Sequence, residues 1–244
     1  MILRDLVYVL AALLMLAIVL AGAQMRIIER NIRKMSYDIQ PFTRHAPGAA
    51  LRFLFIGDST AVGTGAKNNS ESVAGYFGRD FPQAAIDNNS YNGRKLTQLV
   101  REFPTDVKVP YDLVIVQIGG NDIMQLTPIE SIGRDITTVI TQAKTIGRHV
   151  VILHSGNVGL APIFIWPFDA LMTARARAVR RLYMNKAREN GVLYVDLFTE
   201  RNNDLFLKDI AEYYCADHLH PSAQGYRWWY ERIRATMTEG HVVL

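Results

Sequence analysis

Apolar residues fall in two patterns along the chain: one long unbroken run at the start, then short runs separated by stretches of helical periodicity. The run over residues 6–23 carries no charge and is long enough to cross a bilayer as a helix. Its uniformity leaves no polar face, which argues against a helix packed in a soluble core. Its end, Ala21-Gly22-Ala23, also fits the small-residue cleavage site of a signal peptide. Against cleavage, only Arg4 precedes the run, offset by Asp5, and the run exceeds the usual apolar core of about 7 to 15 residues. The expectation is an uncleaved membrane anchor over 1–24. Next, Met25, Ile28, Ile32 and Met35 recur at helical spacing, with Arg26, Arg30, Arg33 and Lys34 on other faces. This spacing predicts that the helix continues along or out of the headgroup layer. Pro41, Pro47 and Gly48 then mark a linker, so that 25–50 joins the anchor to a domain over 51–240.

Within that domain, residues 51–56, 84–88, 112–118, 150–154 and 192–197 read as strands, and 72–81, 94–103, 128–144, 170–190 and 223–237 as helices. Their alternation predicts a three-layer α/β/α fold: a parallel sheet of about five strands with helices on both faces. The stretch 156–168 is too broken by Pro and Gly to be regular. Its apolar side chains, Ile163, Phe164 and Trp166 among them, could line an acyl pocket, touch the membrane or cover the core.

With 244 residues, 49% of them hydrophobic and 20% charged, the chain can bury a proper core. The net charge of +4 comes from scattered basic residues, a good share of them just after the apolar run. That placement points to anionic lipid before nucleic acid, and no nucleic-acid motif accompanies it. The single cysteine, Cys215, excludes an intramolecular disulfide. Gly63-Thr64-Gly65-Ala66-Lys67-Asn68 lacks the Gly-Lys-Ser/Thr of a phosphate loop and the third glycine of a dinucleotide fingerprint, so it reads as a loop. No cofactor and no resident metal are expected.

Chemistry is concentrated where apolar runs end. After 51–56 the chain breaks into Gly57-Asp58-Ser59-Thr60, where Ser59 sits as a nucleophile would at the carboxyl end of a first strand. The competing reading is a helix cap. Gly93 is either a plain turn glycine or a backbone N–H offered to negative charge at a helix start. The third strand ends in Gly119-Gly120-Asn121-Asp122, where the Asn121 amide could donate to an oxyanion or merely close a turn. Near the C-terminus stands Asp217-His218-Leu219-His220-Pro221. Asp217 can hold the far nitrogen of His220 while the near one takes a proton from Ser59. The same residues could instead bind a divalent metal or form a solvated turn.

Taken in order, these four blocks resemble those of the SGNH/GDSL hydrolase superfamily over most of 51–237. The resemblance implies a flavodoxin-like sheet, Ser59 as nucleophile, His220 as base and Asp217 as its orienting acid. It also implies an oxyanion hole made by the backbone of Ser59, the backbone of Gly93 and the side chain of Asn121. The block Ser90-Tyr91-Asn92-Gly93-Arg94 is only loosely like the family's. The Gly-x-Ser-x-Gly elbow of α/β-hydrolases is absent. The implied activity is hydrolysis of a carboxylic ester (acyl ester, thioester or O-acetyl ester of a small molecule, lipid or carbohydrate) through an acyl-enzyme on Ser59. Two alternatives belong to other classes: a metal-dependent phosphoesterase using Asp58, Asn121, Asp217, His218 and His220, and a non-catalytic membrane-tethered binding module in which Ser59 is dispensable. For topology, basic residues after the anchor favour a cytoplasmic domain, whereas an N-terminal apolar segment usually serves export. The expectation adopted is an extracytoplasmic domain.

Overall fold

The computed structural model describes residues 2–34 and 39–244. Five strands, β1 (Arg52–Gly57), β2 (Ala85–Ser90), β3 (Tyr111–Gln117), β4 (Gly147–Leu153) and β5 (Leu193–Tyr194), form one parallel sheet in the order β2-β1-β3-β4-β5. This is the flavodoxin-like order, in which the chain reverses its direction of travel across the sheet between β1 and β3. Alternate residues serve opposite faces. Leu54, Ile56, Val114, Val116, Val150 and Ile152 enter one core, while Phe53, Phe55, Leu113, Ile115, Val151 and Leu153 enter the other. Both faces being covered is why these strands read as continuous apolar runs.

The helices are α1 (Ile2–Lys34), α2 (Ser59–Val62), α3 (Val73–Asp80), α4 (Leu96–Glu102), α5 (Gly120–Met124), α6 (Ile129–Ile146), α7 (Phe168–Asn190), α8 (Leu205–Lys208), α9 (Ile210–Tyr213) and α10 (Ala223–Glu239). The first core is closed by α4, α6 and α7 through Leu99, Ile136, Val139, Val179 and Tyr183. The second is closed by α3 and α10 through Phe77, Tyr226, Trp229 and Ile233.

Three boundaries differ from the sequence pattern. β4 begins at Gly147, because its polar start still pairs with Tyr111 and Leu113 of β3. β5 is shorter than 192–197: after Val195 donates to Ile152 O, Asp196 turns aside to an ion pair with Arg180, at 2.6 Å from its Nη2. The stretch before Leu51 is already part of the domain. Arg44 and Ile86 exchange two backbone hydrogen bonds of 2.8 and 2.9 Å, and the Arg44 guanidinium donates to the carbonyls of Gly78 and Phe81. At the N-terminus, α1 runs unbroken through residue 24 to Lys34, and its span Arg4–Gln24 is long and apolar enough to cross a membrane. Met35 lies outside the described residues.

Candidate active site

Ser59 is the first residue of α2, two residues beyond the end of β1 and beside the β1/β3 reversal where ligands of such sheets bind. Gly57 is required there, since a Cβ would stand 1.9 Å from Gln117 O of the neighbouring strand. Asp58 caps the short helix: its Oδ1 accepts from Thr60 N at 2.9 Å and Thr60 Oγ1 at 2.7 Å. Cap and candidate nucleophile are therefore adjacent residues, and both sequence readings of this break describe the same turn. Burial pushes the Asp58 carboxyl upward against the bonds from Thr60.

The loop before α10 brings two more residues to Ser59. His220 Nε2 lies 2.9 Å from Ser59 Oγ, and His220 Nδ1 lies 2.5 Å from Asp217 Oδ2. The other carboxylate oxygen of Asp217, which is fully buried, accepts from Leu219 N at 2.8 Å, His220 N at 2.9 Å and Cys215 Sγ at 3.0 Å. Burial, followed by the bond to Asp217, pushes the Cys215 thiol up to about 12, so it stays protonated as a donor. Backbone bonds from Cys215 N to His220 O and from Ser222 N to Tyr213 O close the loop on itself. Gly65, at φ +103°, makes room for it, because a Cβ there would stand 2.4 Å from Pro221 O and 3.0 Å from His220 Cβ. Gly65, in the stretch set against a phosphate loop, thus serves the approach of the His220 loop.

Asn121 and Asp122 hold the Gly93 turn from the other side. Asn121 Nδ2 donates to Arg94 O at 3.2 Å, and Asp122 Oδ2 accepts from Leu96 N at 3.0 Å at the start of α4. Burial pushes the Asp122 carboxyl upward. Thr64 Oγ1 donates to Asn92 Oδ1 at 2.7 Å, tying the turn to the loop after α2. Arg94 is buried under the turn, bound to Asn89 O and Glu102 and stacked over Tyr91.

A pocket opens over these groups, with Ser59, Asn121 and His220 in its lining. Gly93, at φ +81°, is exposed and not among the lining residues. The lining also omits Ile163, Phe164 and Trp166, and takes Val158 and Ala161 from the same stretch instead. Ile163 is buried in the domain, Phe164 packs against the first core and Trp166 is exposed. His218 is exposed at φ +60°. Among the described residues no group of three or more His, Cys, Asp or Glu is gathered as a metal site would require.

The sequence reading missed an apolar wall made by Leu197, Phe206, Tyr214, Trp228 and Trp229. Its position carried a signal, since these residues follow the carboxyl end of β5 or begin α10. In open α/β sheets that rim is where ligands sit.

Comparison with known proteins follows the same geometry. The model of the GDSL-like lipase/acylhydrolase family matches residues 55–228. Among solved structures, the chain is similar to a lipolytic protein of the G-D-S-L family from Veillonella parvula at 18% identity and TM-score 0.60, covering 78% of this chain and 99% of that one. It is similar to Axe2, an acetylxylan esterase from Geobacillus stearothermophilus, at 18% identity and TM-score 0.57, covering 79% and 96%. It is also similar to TesA at 20% identity and TM-score 0.55, covering 76% and 97%. No curated protein matches it. With more than half of its length matched, the chain belongs to the GDSL-like lipase/acylhydrolase family and is an ester hydrolase.

Proposed function

We propose that the protein is a membrane-tethered serine hydrolase that cleaves carboxylic esters through an acyl-enzyme on Ser59. The observation that carries this reading is the hydrogen-bonded line from Asp217 Oδ2 through both nitrogens of His220 to Ser59 Oγ at the pocket. In the first half-reaction Ser59 Oγ attacks the ester carbonyl while His220 Nε2 takes its proton, and Asp217 stabilises the imidazolium through Nδ1–H. The Ser59 N–H, unpaired within its helix as the first N–H of any helix is, supplies one donor for the oxyanion. The Asn121 amide and the Gly93 N–H supply the others. His220 then returns the proton to the leaving alcohol or thiol, and water repeats the sequence on the acyl-enzyme. The apolar wall formed by Leu197, Phe206 and Trp229 suits the acyl group of an acyl ester, thioester or O-acetyl ester.

Helix α1 anchors the protein, with the catalytic domain on the extracytoplasmic side. Its apolar span supports the anchor, and the usual use of such N-terminal segments in export supports the side. Alkaline phosphatase fused after Leu51 should be active; activity only of a cytoplasmic fluorescent reporter would reverse the orientation. The activity is tested with p-nitrophenyl esters of graded acyl length. Wild type should release nitrophenol in the presence of chelator, and Ser59→Ala should not. A chelator-inactivated enzyme whose Ser59→Ala variant retains its rate would replace this reading with metal-dependent chemistry.

A further inference from the structure

The end of the apolar helix is fastened to the loop that continues from Ala161 of the pocket wall. Gln24, the last residue of the span Arg4–Gln24, is only 4% exposed although the described side chains of the span before it are all exposed. Its side chain donates from Nε2 to Ile163 O and accepts at Oε1 from Ile165 N at 3.4 Å. The residues that follow in that loop are exposed and apolar: Ile165 at 56%, Trp166 at 79%, and Leu171 at 44% in the first turn of α7. Toward the protein the same loop is tied to the site. Ile163 N donates to His218 O at 3.1 Å, Phe164 N donates to Ala161 O at 3.0 Å, and Ala161 lines the pocket. Three residues therefore separate Ala161 of the pocket wall from the exposed Ile165.

We propose that Ile165, Trp166 and Leu171 form a wedge seated in the bilayer that receives α1, holding the pocket mouth at the lipid surface so that the ester it takes is lipid-borne. This rests on the serine hydrolase reading and adds the source of the substrate. Depth is set by geometry. A span of 21 residues rises roughly 31 Å at 1.5 Å per residue, about the thickness of a hydrocarbon core. Gln24 then lies at the boundary between lipid and water, and the loop bonded to it shares that level. Tryptophan is favoured at this depth, where its ring is half in headgroups. The exposed Arg26 follows on the aqueous side, where anionic headgroups would meet it. The occupant of this apolar surface is thus the bilayer already implied by the helix, reached without a break from Gln24.

The test uses the full chain reconstituted in phosphatidylcholine vesicles whose acyl chains carry bromine near the headgroup end. Tryptophan emission should be quenched in wild type, and Trp166→Phe should remove most of that quenching. Quenching that is absent, or equal in Trp166→Phe, overturns the proposal. In a second arm, the double variant Ile165→Ser, Leu171→Ser should lose about tenfold in rate on a long-chain ester embedded in the vesicles and keep its rate on soluble p-nitrophenyl acetate. Equal losses on both substrates, or none on the embedded one, also overturn it. Failure of wild type to cleave p-nitrophenyl acetate would count against the hydrolase reading, while the quenching result still decides the docking.

Discussion

The two sides of Ser59 are built to different standards of rigidity. On the His220 side, one loop accepts three donors on a single Asp217 oxygen, closes on itself through backbone bonds and presents both imidazole nitrogens to partners. On the Gly93 side, the turn is exposed and held by side chains reaching across from α5 and from the Thr64 loop. The first arrangement holds His220 between Asp217 and Ser59 without help from a ligand, as the proposed proton path requires. The second leaves Gly93 exposed, and under the proposed mechanism its N–H would gain a partner when negative charge develops on a bound substrate. Substitutions on the two sides should therefore fail in different ways.

The largest effect is expected on the rigid side. Asp217→Asn keeps the shape but removes the charge that, in the proposed triad, would steady the imidazolium, and kcat should fall by roughly 10⁴. A fall of less than about tenfold in steady-state assays would mean that His220 works without its partner. On the open side, Asn121→Ala should lower kcat by roughly 10² to 10³ with little change in KM, because the donor acts on the transition state. If KM rises and kcat holds, Asn121 binds the ground state and the contrast between the sides dissolves.

Outside the site, His154 at the end of β4 provides a stability test. It is buried edge-on to Tyr183 and stacked near Tyr194, and burial lowers its pKa from 6.5 to about 4, against the pull of Asp196. Between these values the unfolded chain binds a proton that the folded one refuses, so stability falls as pH drops from about 6.5 toward 4. The loss is on the order of 3 kcal/mol. Urea unfolding of His154→Phe should show a flatter pH dependence in that window; an unchanged slope would assign the acid sensitivity to other groups. The smallest effect sharpens the rigid side. Cys215→Ala removes one of three donors to Asp217 Oδ1, worth about 1.5 to 3 kcal/mol for a bond to a charged group at most, whereas Cys215→Ser keeps a donor. Alanine should cost activity and serine should restore most of it, as read by kcat/KM.

The same contrast explains what could be read from the chain alone. Strands β1 and β3 were legible because both faces are buried, and an apolar run ending in Gly-Asp-Ser or Gly-Gly-Asn is a visible break. The pairing of Asp217 with His220 was legible because the two lie three apart in one loop, and His220 is the one that meets Ser59. Parts that depend on distant chain were not. The polar start of β4 is strand only through its pairing with Tyr111 and Leu113, and β5 ends early because Arg180 draws Asp196 away. The pocket's apolar wall joins residues from 197–214 to Trp228 and Trp229, a proximity that no local period encodes. Ile163, Phe164 and Trp166 had the composition of an acyl pocket, but the pocket lining takes Val158 and Ala161 from their stretch, and the backbone of Ile163 and Ile165 bonds to Gln24 instead.

Covalent labelling of Ser59 tests the central claim most directly. Intact-mass spectrometry after exposure to an alkyl fluorophosphonate should show one adduct, mapped to the peptide that carries Ser59, absent from Ser59→Ala and formed far more slowly in His220→Ala. An enzyme that hydrolyses p-nitrophenyl acetate yet takes no adduct on Ser59, or takes it on another residue with loss of activity, would contradict the account.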